Sequence, residues 1–145
     1  MRAIVQRVRF ASLSVDGNVV SKINKGFMIL LGVHANDTEK EAKYIADKIT
    51  KLRIFEDENG KMNLSAGQVN GEFLLVSNFT LYGNTKGTNR PDFITAARPE
   101  KAEPLYELVA SLLNQNIPTK TGVFGADMKI EMLADGPVTI IIDTE

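Results

Sequence analysis

One stretch of the chain sets the interpretation of the rest, and it reads Gly71-Glu72-Phe73-Leu74-Leu75-Val76-Ser77-Asn78-Phe79-Thr80-Leu81-Tyr82. Its central part, Phe73 to Val76, is continuously apolar, which is typical of a short strand covered on both faces. Gly71 before it and Gly83-Asn84 after it are turn residues that delimit the strand. The sequence therefore predicts a core strand that ends in a group of polar residues.

The polar end of this strand has two interpretations. Ser77, Asn78 and Thr80 each carry a hydrogen-bonding side chain, and burying such a group without a partner costs about 1–3 kcal/mol. Either the three groups satisfy one another and the adjoining turn, or they line a functional site. Spacing alone leaves both interpretations open.

Composition limits the possible classes of protein. The chain has 145 residues, of which 43% are apolar, and we expect one domain over residues 1–145 that needs no covalent or metal staple. The absence of cysteine excludes thiolate nucleophiles and fits a reducing compartment. No stretch approaches the roughly 18–20 apolar residues of a membrane span, so we expect a cytoplasmic protein without a membrane partner. A net charge of −1 gives no global attraction to nucleic acid, so an RNA partner would need a local basic patch.

Neither the histidine nor the acidic run of the chain is a strong catalytic candidate. His34 is the only histidine, and its position beside the turn-like Ala35-Asn36-Asp37 indicates a loop residue more than a member of a Ser-His-Asp triad. The acidic run Glu56-Asp57-Glu58 lacks the alternating Asp/Asn positions, central Gly and closing Glu of an EF-hand loop. We expect no metal and no cofactor.

Further strands are indicated in the first third of the chain. The N-terminal segment alternates apolar and polar residues and predicts a half-buried strand with Arg7 and Arg9 on its outer face. Asp16-Gly17 predicts a tight hairpin turn, because Asp-Gly readily adopts positive φ angles. The apolar run Phe27 to Val33 predicts a second core strand beside Phe73 to Val76.

Two helices are predicted. Thr38 and Glu41 form a Thr-x-x-Glu capping box at the start of the first. Its core face recurs at spacings of three and four, at Ala42, Ile45, Ala46, Ile49 and Leu52. A second apolar stripe, Leu105, Leu108, Val109, Leu112 and Leu113, predicts the other helix, with Pro104 in its first turn or at a kink. Residues 120–124, 128–133 and 138–142 are predicted to be closing strands.

The segment from Tyr82 to Ala97 is polar and is predicted to be a loop. Lys86, Arg90, Arg98 and Lys101 concentrate positive charge beside Phe93, a combination suited to holding a phosphate backbone and stacking a base. A loop of this composition is also often merely solvated, and composition does not decide between the two.

The segment Asp135-Gly136-Pro137-Val138-Thr139 has the chemistry of an ordinary turn between two of the closing strands. A second interpretation is functional. An X-Pro bond can be cis at a cost of about 0.5–1 kcal/mol, so Gly136 and Pro137 could present two carbonyls side by side.

Taken together, these segments resemble the D-aminoacyl-tRNA deacylase family. The resemblance covers essentially the whole chain, in order, and six separate motifs make it specific. Its main departure is Asn78, where the family's Ser-Gln-Phe-Thr-Leu motif usually has Gln; a lesser one is Ala134, where Asn is common. The motifs are Met1 to Val8, Leu52 to Phe55 with Gly60 to Asn63, Ser77 to Leu81, Arg90 to Phe93, Phe124 to Met128, and Gly136 to Thr139.

The resemblance implies a single α+β domain, with antiparallel sheets forming a barrel-like core and two main helices outside, that works as a homodimer. It also implies hydrolysis of the ester between a D-amino acid, or glycine, and the 3′-terminal adenosine of tRNA. The implied partner is aminoacyl-tRNA, not DNA. The implied site joins Ser77, Asn78, Phe79 and Thr80 of one subunit to a cis Gly136-Pro137 of the other, whose carbonyls hold the substrate's α-amino group and exclude an L side chain.

The sequence also limits the mechanism. Thr80 has no His, Lys or carboxylate beside it in sequence to activate its hydroxyl, so the backbone N–H groups of Phe79 and Thr80 are the expected oxyanion donors. The ribose 2′-OH of the RNA is the expected assistant, in keeping with the resemblance. Two alternatives are a non-catalytic RNA-binding module and a hydrolase that uses His34.

Overall fold

The computed structural model describes residues 1–145 and contains eight strands and two α-helices. Two short 3₁₀ helices, Gly67–Val69 and Phe79–Tyr82, complete the regular structure. The strands and helices are β1 (Arg2–Val15), β2 (Asn18–Ile23), β3 (Gly26–Gly32), α1 (Glu39–Lys51), β4 (Arg53–Glu56), β5 (Met62–Ser65), β6 (Glu72–Ser77), α2 (Pro99–Asn114), β7 (Thr119–Thr121) and β8 (Lys129–Asp143).

The main sheet has the strand order β2-β1-β3-β6-β7, with β8 on β1, and β4 and β5 form a separate two-stranded sheet. The β3–β6 and β6–β7 pairs are parallel and the other pairs are antiparallel, so the sheet is mixed. The Ser21 hydroxyl donates to the Thr121 carbonyl at 2.5 Å, and the Lys120 ammonium donates to the Lys22 carbonyl at 2.7 Å. These contacts bring β2 near β7, and the sheet nearly closes into a barrel with two helices outside, which confirms the predicted α+β fold class. The expectation that the sheets are antiparallel is corrected by the parallel β3–β6 and β6–β7 pairs.

The two predicted core strands lie side by side. Residues 26–31 of β3 pair in parallel register with residues 72–77 of β6, and both strands are buried on both faces. The Phe27 ring stacks on Phe73 at 5.2 Å and on Phe55 at 5.3 Å between centroids, so one aromatic column joins β3, β6 and β4. The N–H of Asn78 donates to the Leu31 carbonyl at 2.8 Å, which fixes the end of β6 against β3.

The helices begin where local chemistry favours them. Thr38 caps α1 by accepting from the Lys40 N–H, and the Glu41 carboxylate accepts from the Thr38 N–H at 2.7 Å, so the capping box is confirmed. Helix α2 begins at Pro99, in the first turn, where a missing N–H costs nothing. Pro104 lies inside this helix and not in its first turn, five residues beyond Pro99.

The C-terminal segment differs from the sequence prediction. Instead of two strands joined by a turn at Asp135 to Thr139, β8 is one strand that pairs with β1 along both halves. Between Thr139, paired with Gln6, and Ala134, paired with Val8, the four residues 135–138 oppose a single residue of β1. We call residues 135–138 the β8 bulge. Pairing with β1 therefore overrides the local turn preference.

Arg7, the β1 residue opposite the β8 bulge, is also placed differently from the prediction. It is 5% exposed, whereas the Arg9 side chain is 71% exposed, so the two do not share an outer face. Register shifts on either side of Val8, the first of them at the bulge, break the simple alternation of β1. The predicted strand at 120–124 is also shorter, because only Thr119–Thr121 is paired.

Candidate active site

A cavity of about 720 Å³ opens where β6 ends and the 3₁₀ helix Phe79–Tyr82 begins. Its walls come from the end of β6, from the start of α2, and from the segment before β8. Most of its lining is apolar. The lining residues are Leu30, Val33, Val76, Ser77, Asn78, Phe79, Thr80, Phe93, Ala96, Ala97, Arg98, Pro99, Ala102, Phe124, Gly125, Ala126, Asp127, Met128 and Ile130.

All four residues predicted for the catalytic motif line this cavity. Asn78 caps the 3₁₀ helix, because its Oδ1 accepts from the Thr80 N–H at 3.2 Å and also from the Thr80 hydroxyl. The Thr80 hydroxyl thus donates to an amide oxygen, which is too weak a base to activate it. The first interpretation of the polar cluster, mutual satisfaction at a turn, is therefore correct for Asn78 and Thr80, although both also line the cavity.

Phe79 supplies the free backbone donor of the site. Its N–H is the first of the 3₁₀ helix and donates to no acceptor in the folded chain, whereas the Thr80 N–H is engaged by Asn78. The Phe79 side chain is 56% exposed and meets the Phe93 ring edge to face, with centroids 5.0 Å apart. An unpaired N–H beside an apolar cavity is suited to stabilising an oxyanion.

The predicted basic loop separates into two parts. Asn84 and Asp92 exchange backbone hydrogen bonds of 2.9 and 3.0 Å, so residues 85–91 project beyond this bridge. Lys86 and Arg90 lie in the projecting part, exposed and outside the cavity lining, whereas Phe93 lines the cavity.

Arg98 and Lys101, the other two basic residues of this region, lie in different surroundings. Arg98 lines the cavity, but the Lys101 ammonium donates to the Ala35 carbonyl at 2.5 Å. Lys101 is therefore held against the backbone of a neighbouring loop.

Gly136 and Pro137 are exposed on the β8 bulge and do not line the cavity of their own chain. The peptide bond between them is cis, the isomer that the resemblance implied. Buried Arg7 holds the start of the bulge, because its Nε donates to the Asp135 carbonyl at 3.1 Å and its Nη1 donates to the Ile54 carbonyl at 2.7 Å. The structure thus brings together the Ser77–Thr80 group and leaves the Gly136-Pro137 pair apart from it.

Arg2 makes contacts that the sequence did not indicate. Its Nη1 donates to the Leu81 carbonyl at 2.8 Å, its Nε donates to Asp143 at 2.6 Å, and its guanidinium lies 4.8 Å from the centre of the Tyr82 ring. Burial disfavours the Asp143 carboxylate, but the Glu145 N–H and the Arg2 guanidinium outweigh burial and lower the pKa of Asp143. Arg2 therefore fixes the C-terminal end of the 3₁₀ helix that carries Phe79 and Thr80. Only the tertiary fold reveals this role, since Arg2 and Leu81 are far apart in sequence.

The only histidine lies outside the cavity. Its Nδ1 accepts from the Asn36 N–H at 3.0 Å, its ring packs against Tyr82, and its Nε2 is 3.5 Å from Glu145. His34 is therefore a loop residue, as predicted, and is not positioned to act at the cavity.

No group of three or more His, Asp or Glu side chains is arranged to hold a metal ion. None of the helices has the length and apolar character needed to cross a membrane.

Two solved structures share this architecture. The one described as c-Myc DNA Unwinding Element Binding Protein matches with a TM-score of 0.94 and 40% identity, over 100% of this chain and 99% of that chain. One described as a probable eukaryotic D-amino acid tRNA deacylase matches with a TM-score of 0.82 and 15% identity, over 97% of each chain, which shows the fold alone.

Sequence comparison gives the family. The family model described as D-Tyr-tRNA(Tyr) deacylase matches residues 4–143. A D-aminoacyl-tRNA deacylase of Fusobacterium nucleatum subsp. nucleatum is 53% identical over 100% of this chain and 97% of its own length. One from Brevibacillus brevis is 52% identical over 99% of this chain and 100% of its own length. The fold, the cavity and these relatives together define a hydrolase of the deacylase class. Within that class, the chain belongs to the D-Tyr-tRNA(Tyr) deacylase family, which confirms the resemblance.

Proposed function

We propose that this protein hydrolyses the ester bond between a D-amino acid, or glycine, and the 3′-terminal adenosine of tRNA. One observation carries the proposal beyond family membership. The cavity at the end of β6 combines apolar walls with an unpaired backbone donor, the Phe79 N–H. An ester carbonyl placed against this N–H would gain its strongest contact as its oxygen becomes negative, and such a donor is worth about 2.7–4 kcal/mol in the transition state.

The reaction proposed is direct attack by water. The water oxygen forms a bond to the ester carbonyl carbon, the bond from that carbon to the ribose O3′ breaks, and the proton released by the water ends on O3′. The Phe79 N–H stabilises the oxyanion between these two events. The Thr80 N–H is a second donor only when it leaves Asn78 Oδ1, to which it is bonded at 3.2 Å.

The proton transfers are assigned to the substrate. Ser77, Asn78 and Thr80 are uncharged, and the carboxylate at the cavity, Asp127, is 3.0 Å from the Lys129 ammonium. The ribose 2′-OH lies next to the scissile ester in any aminoacyl-adenosine. We therefore assign to it the activation of water or assistance to the leaving O3′, with no cofactor in the reaction.

The acceptor end of the tRNA is proposed to cross the projecting loop. Lys86 and Arg90 are exposed there and free to approach backbone phosphates. The edge-to-face pair of Phe79 and Phe93 offers an aromatic surface at the cavity mouth for a terminal base.

Enantiomer selection is proposed to need a second copy of the chain. Gly136 and Pro137 lie outside their own cavity, so their carbonyls reach a substrate ammonium only in a partner's cavity. Strand β8 pairs with β1 alone, which leaves its other edge open, and Met132, Leu133 and Ile141 on it are 39%, 50% and 66% exposed. An open edge with exposed apolar side chains is suited to burial between two copies. Crowding by the Gly136-Pro137 carbonyls then rejects an L side chain sterically.

The test is deacylation of matched D- and L-aminoacyl-tRNAs under identical conditions. We expect turnover of the D form and of glycyl-tRNA, with the L form left intact. A non-catalytic RNA-binding module would cleave neither, and an unselective esterase would cleave both. Either of these results would contradict the proposal.

A further inference from the structure

The β8 bulge is held at both ends by neighbouring residues of β1. Arg7 bonds the Asp135 carbonyl at its start. At its end, the Gln6 Nε2 donates to the Val138 carbonyl at 3.3 Å. The bulge residue Val138 also packs into the core and is 8% exposed, whereas Gly136 and Pro137 are exposed.

A second hydrogen bond fixes the direction of the Gln6 amide. The Thr139 hydroxyl donates to Gln6 Oε1 at 2.7 Å, so the amide nitrogen faces the Val138 carbonyl. The Gln6 amide donates through its nitrogen to the Val138 carbonyl and accepts through its oxygen from the Thr139 hydroxyl. Both polar atoms of the amide therefore bond adjacent residues of β8. We call the Gln6 and Thr139 side chains with the Val138 carbonyl the Gln6–Thr139 clasp.

We propose that Gln6 and Thr139 are positioning residues for enantiomer selection. The proposal rests on the function proposed above, in which the Gly136 and Pro137 carbonyls read the substrate's α-carbon. Fixing the Val138 carbonyl fixes the peptide plane one residue beyond Pro137. The bulge then cannot pivot about its Arg7 end. Recognition by two backbone carbonyls requires them within about 0.5 Å of their productive positions.

Gly136 shows how little room the bulge has for an alternative path. Its φ is +126°, and a Cβ there would lie 2.8 Å from Val138 Cγ2, 2.9 Å from the Val138 N and 3.3 Å from Arg7 Nη2. A side chain at Gly136 would therefore clash with the Val138 backbone, so this path of the bulge requires glycine. Gly136 lies only two residues from the carbonyl that Gln6 holds.

The experiment compares Thr139→Val with Thr139→Ser. Valine matches threonine in shape but lacks the hydroxyl, whereas serine keeps it. The readout is kcat/KM for D-aminoacyl-tRNA divided by kcat/KM for the L form. We expect Thr139→Val to lower this ratio at least tenfold and Thr139→Ser to keep it within about threefold. Thr50→Val is the matched control, because it removes a 2.8 Å hydroxyl bond to the Ala46 carbonyl within α1, outside the clasp and the bulge.

Two variants of Gln6 extend the test. Gln6→Glu still accepts from Thr139 but cannot donate to the Val138 carbonyl, so we expect the same loss of the ratio with side-chain size kept. The double variant Gln6→Glu/Thr139→Val should lose no more than either single one, because both break one clasp. Melting temperatures are measured for all variants. A clasp with a merely structural role would lower the melting temperature and leave the D-to-L ratio unchanged, and that result would overturn the proposal.

The variant Gly136→Ala shows whether the clasp proposal alone is wrong or the proposed function is wrong as well. If Gly136→Ala lowers the D-to-L ratio while the Thr139 and Gln6 variants keep it, the clasp proposal is wrong and the proposed function stands. If Gly136→Ala also keeps the ratio in a folded protein, both are wrong, since the bulge then does not read the substrate.

Discussion

The Thr80 hydroxyl should be dispensable for hydrolysis. Its one hydrogen bond runs to Asn78 Oδ1; Thr80 is exposed and Asn78 is half-buried. Thr80→Val keeps the shape of the side chain and removes this bond, whose net worth is about 0.5–1.5 kcal/mol. At about 1.4 kcal/mol per tenfold change in rate, the expected loss is roughly two- to twelvefold.

A nucleophilic Thr80 would behave very differently, because loss of a catalytic nucleophile costs about 10⁴- to 10⁶-fold. The assay is single-turnover deacylation of D-aminoacyl-tRNA with enzyme in excess, which isolates the chemical step. Thr80→Ser, which retains the hydroxyl, is the control. A loss beyond about a thousandfold for Thr80→Val, with Thr80→Ser still active and both variants folded, would refute direct attack by water.

Two further predictions concern the RNA and the partner chain. Replacing both Lys86 and Arg90 by Ala should raise KM, leave kcat unchanged, and reduce the slope of log KM against log salt by about 0.7 for each phosphate that is no longer bound. Removing two lysines from the exposed face of α1 is the charge-matched control, and equal effects of the two pairs would place the RNA elsewhere. Phe79→Pro deletes the proposed oxyanion donor and Gly136→Ala crowds the bulge, so each variant alone should lose most of its activity on D-aminoacyl-tRNA. Mixed and allowed to exchange subunits, the two should recover about a quarter of wild-type activity, because half of the dimers then hold one intact site. No recovery despite verified exchange would put both motifs in the site of one chain.

Local sequence signals predicted much of the fold because local chemistry and tertiary packing agree in those segments. In a compact domain, each of three local patterns favours a single structure, and the fold adopts it. These patterns are the capping box at Thr38, the Asp16-Gly17 turn and the apolar runs of β3 and β6. The segment at Asp135 is the opposite case. Its turn chemistry is real, but pairing of the flanking residues with β1 keeps the chain in one strand and expels the extra residues as a bulge.

The candidate site was predictable in part for the same reason. Ser77 is the last residue of β6 and Asn78 to Thr80 follow it directly, so the local sequence is enough to place these residues together. The Thr80 N–H donates to Asn78 Oδ1 because of the turn that the chain takes there. Two free N–H donors were expected, at Phe79 and Thr80, and this bond leaves only the Phe79 N–H free. Arg2, Gln6 and Phe124 lie in motifs of the resemblance, but their contacts join segments that are distant in sequence, and no local pattern predicts those contacts.

The buried Arg7 guanidinium has a consequence for how the protein opens. It bonds Ile54 of β4 and Asp135 of the bulge, and neither segment can leave without stranding a buried cation. The β4–β5 sheet has no strand pairing with the main sheet, and on pairing alone it would open independently. Through Arg7 and the Phe27–Phe55 stack it instead shares one cooperative unit with the β8 bulge and with β3. Amide hydrogens in β4 and around the bulge are therefore expected to exchange with solvent through the same subglobal opening, although about eighty residues of chain separate them.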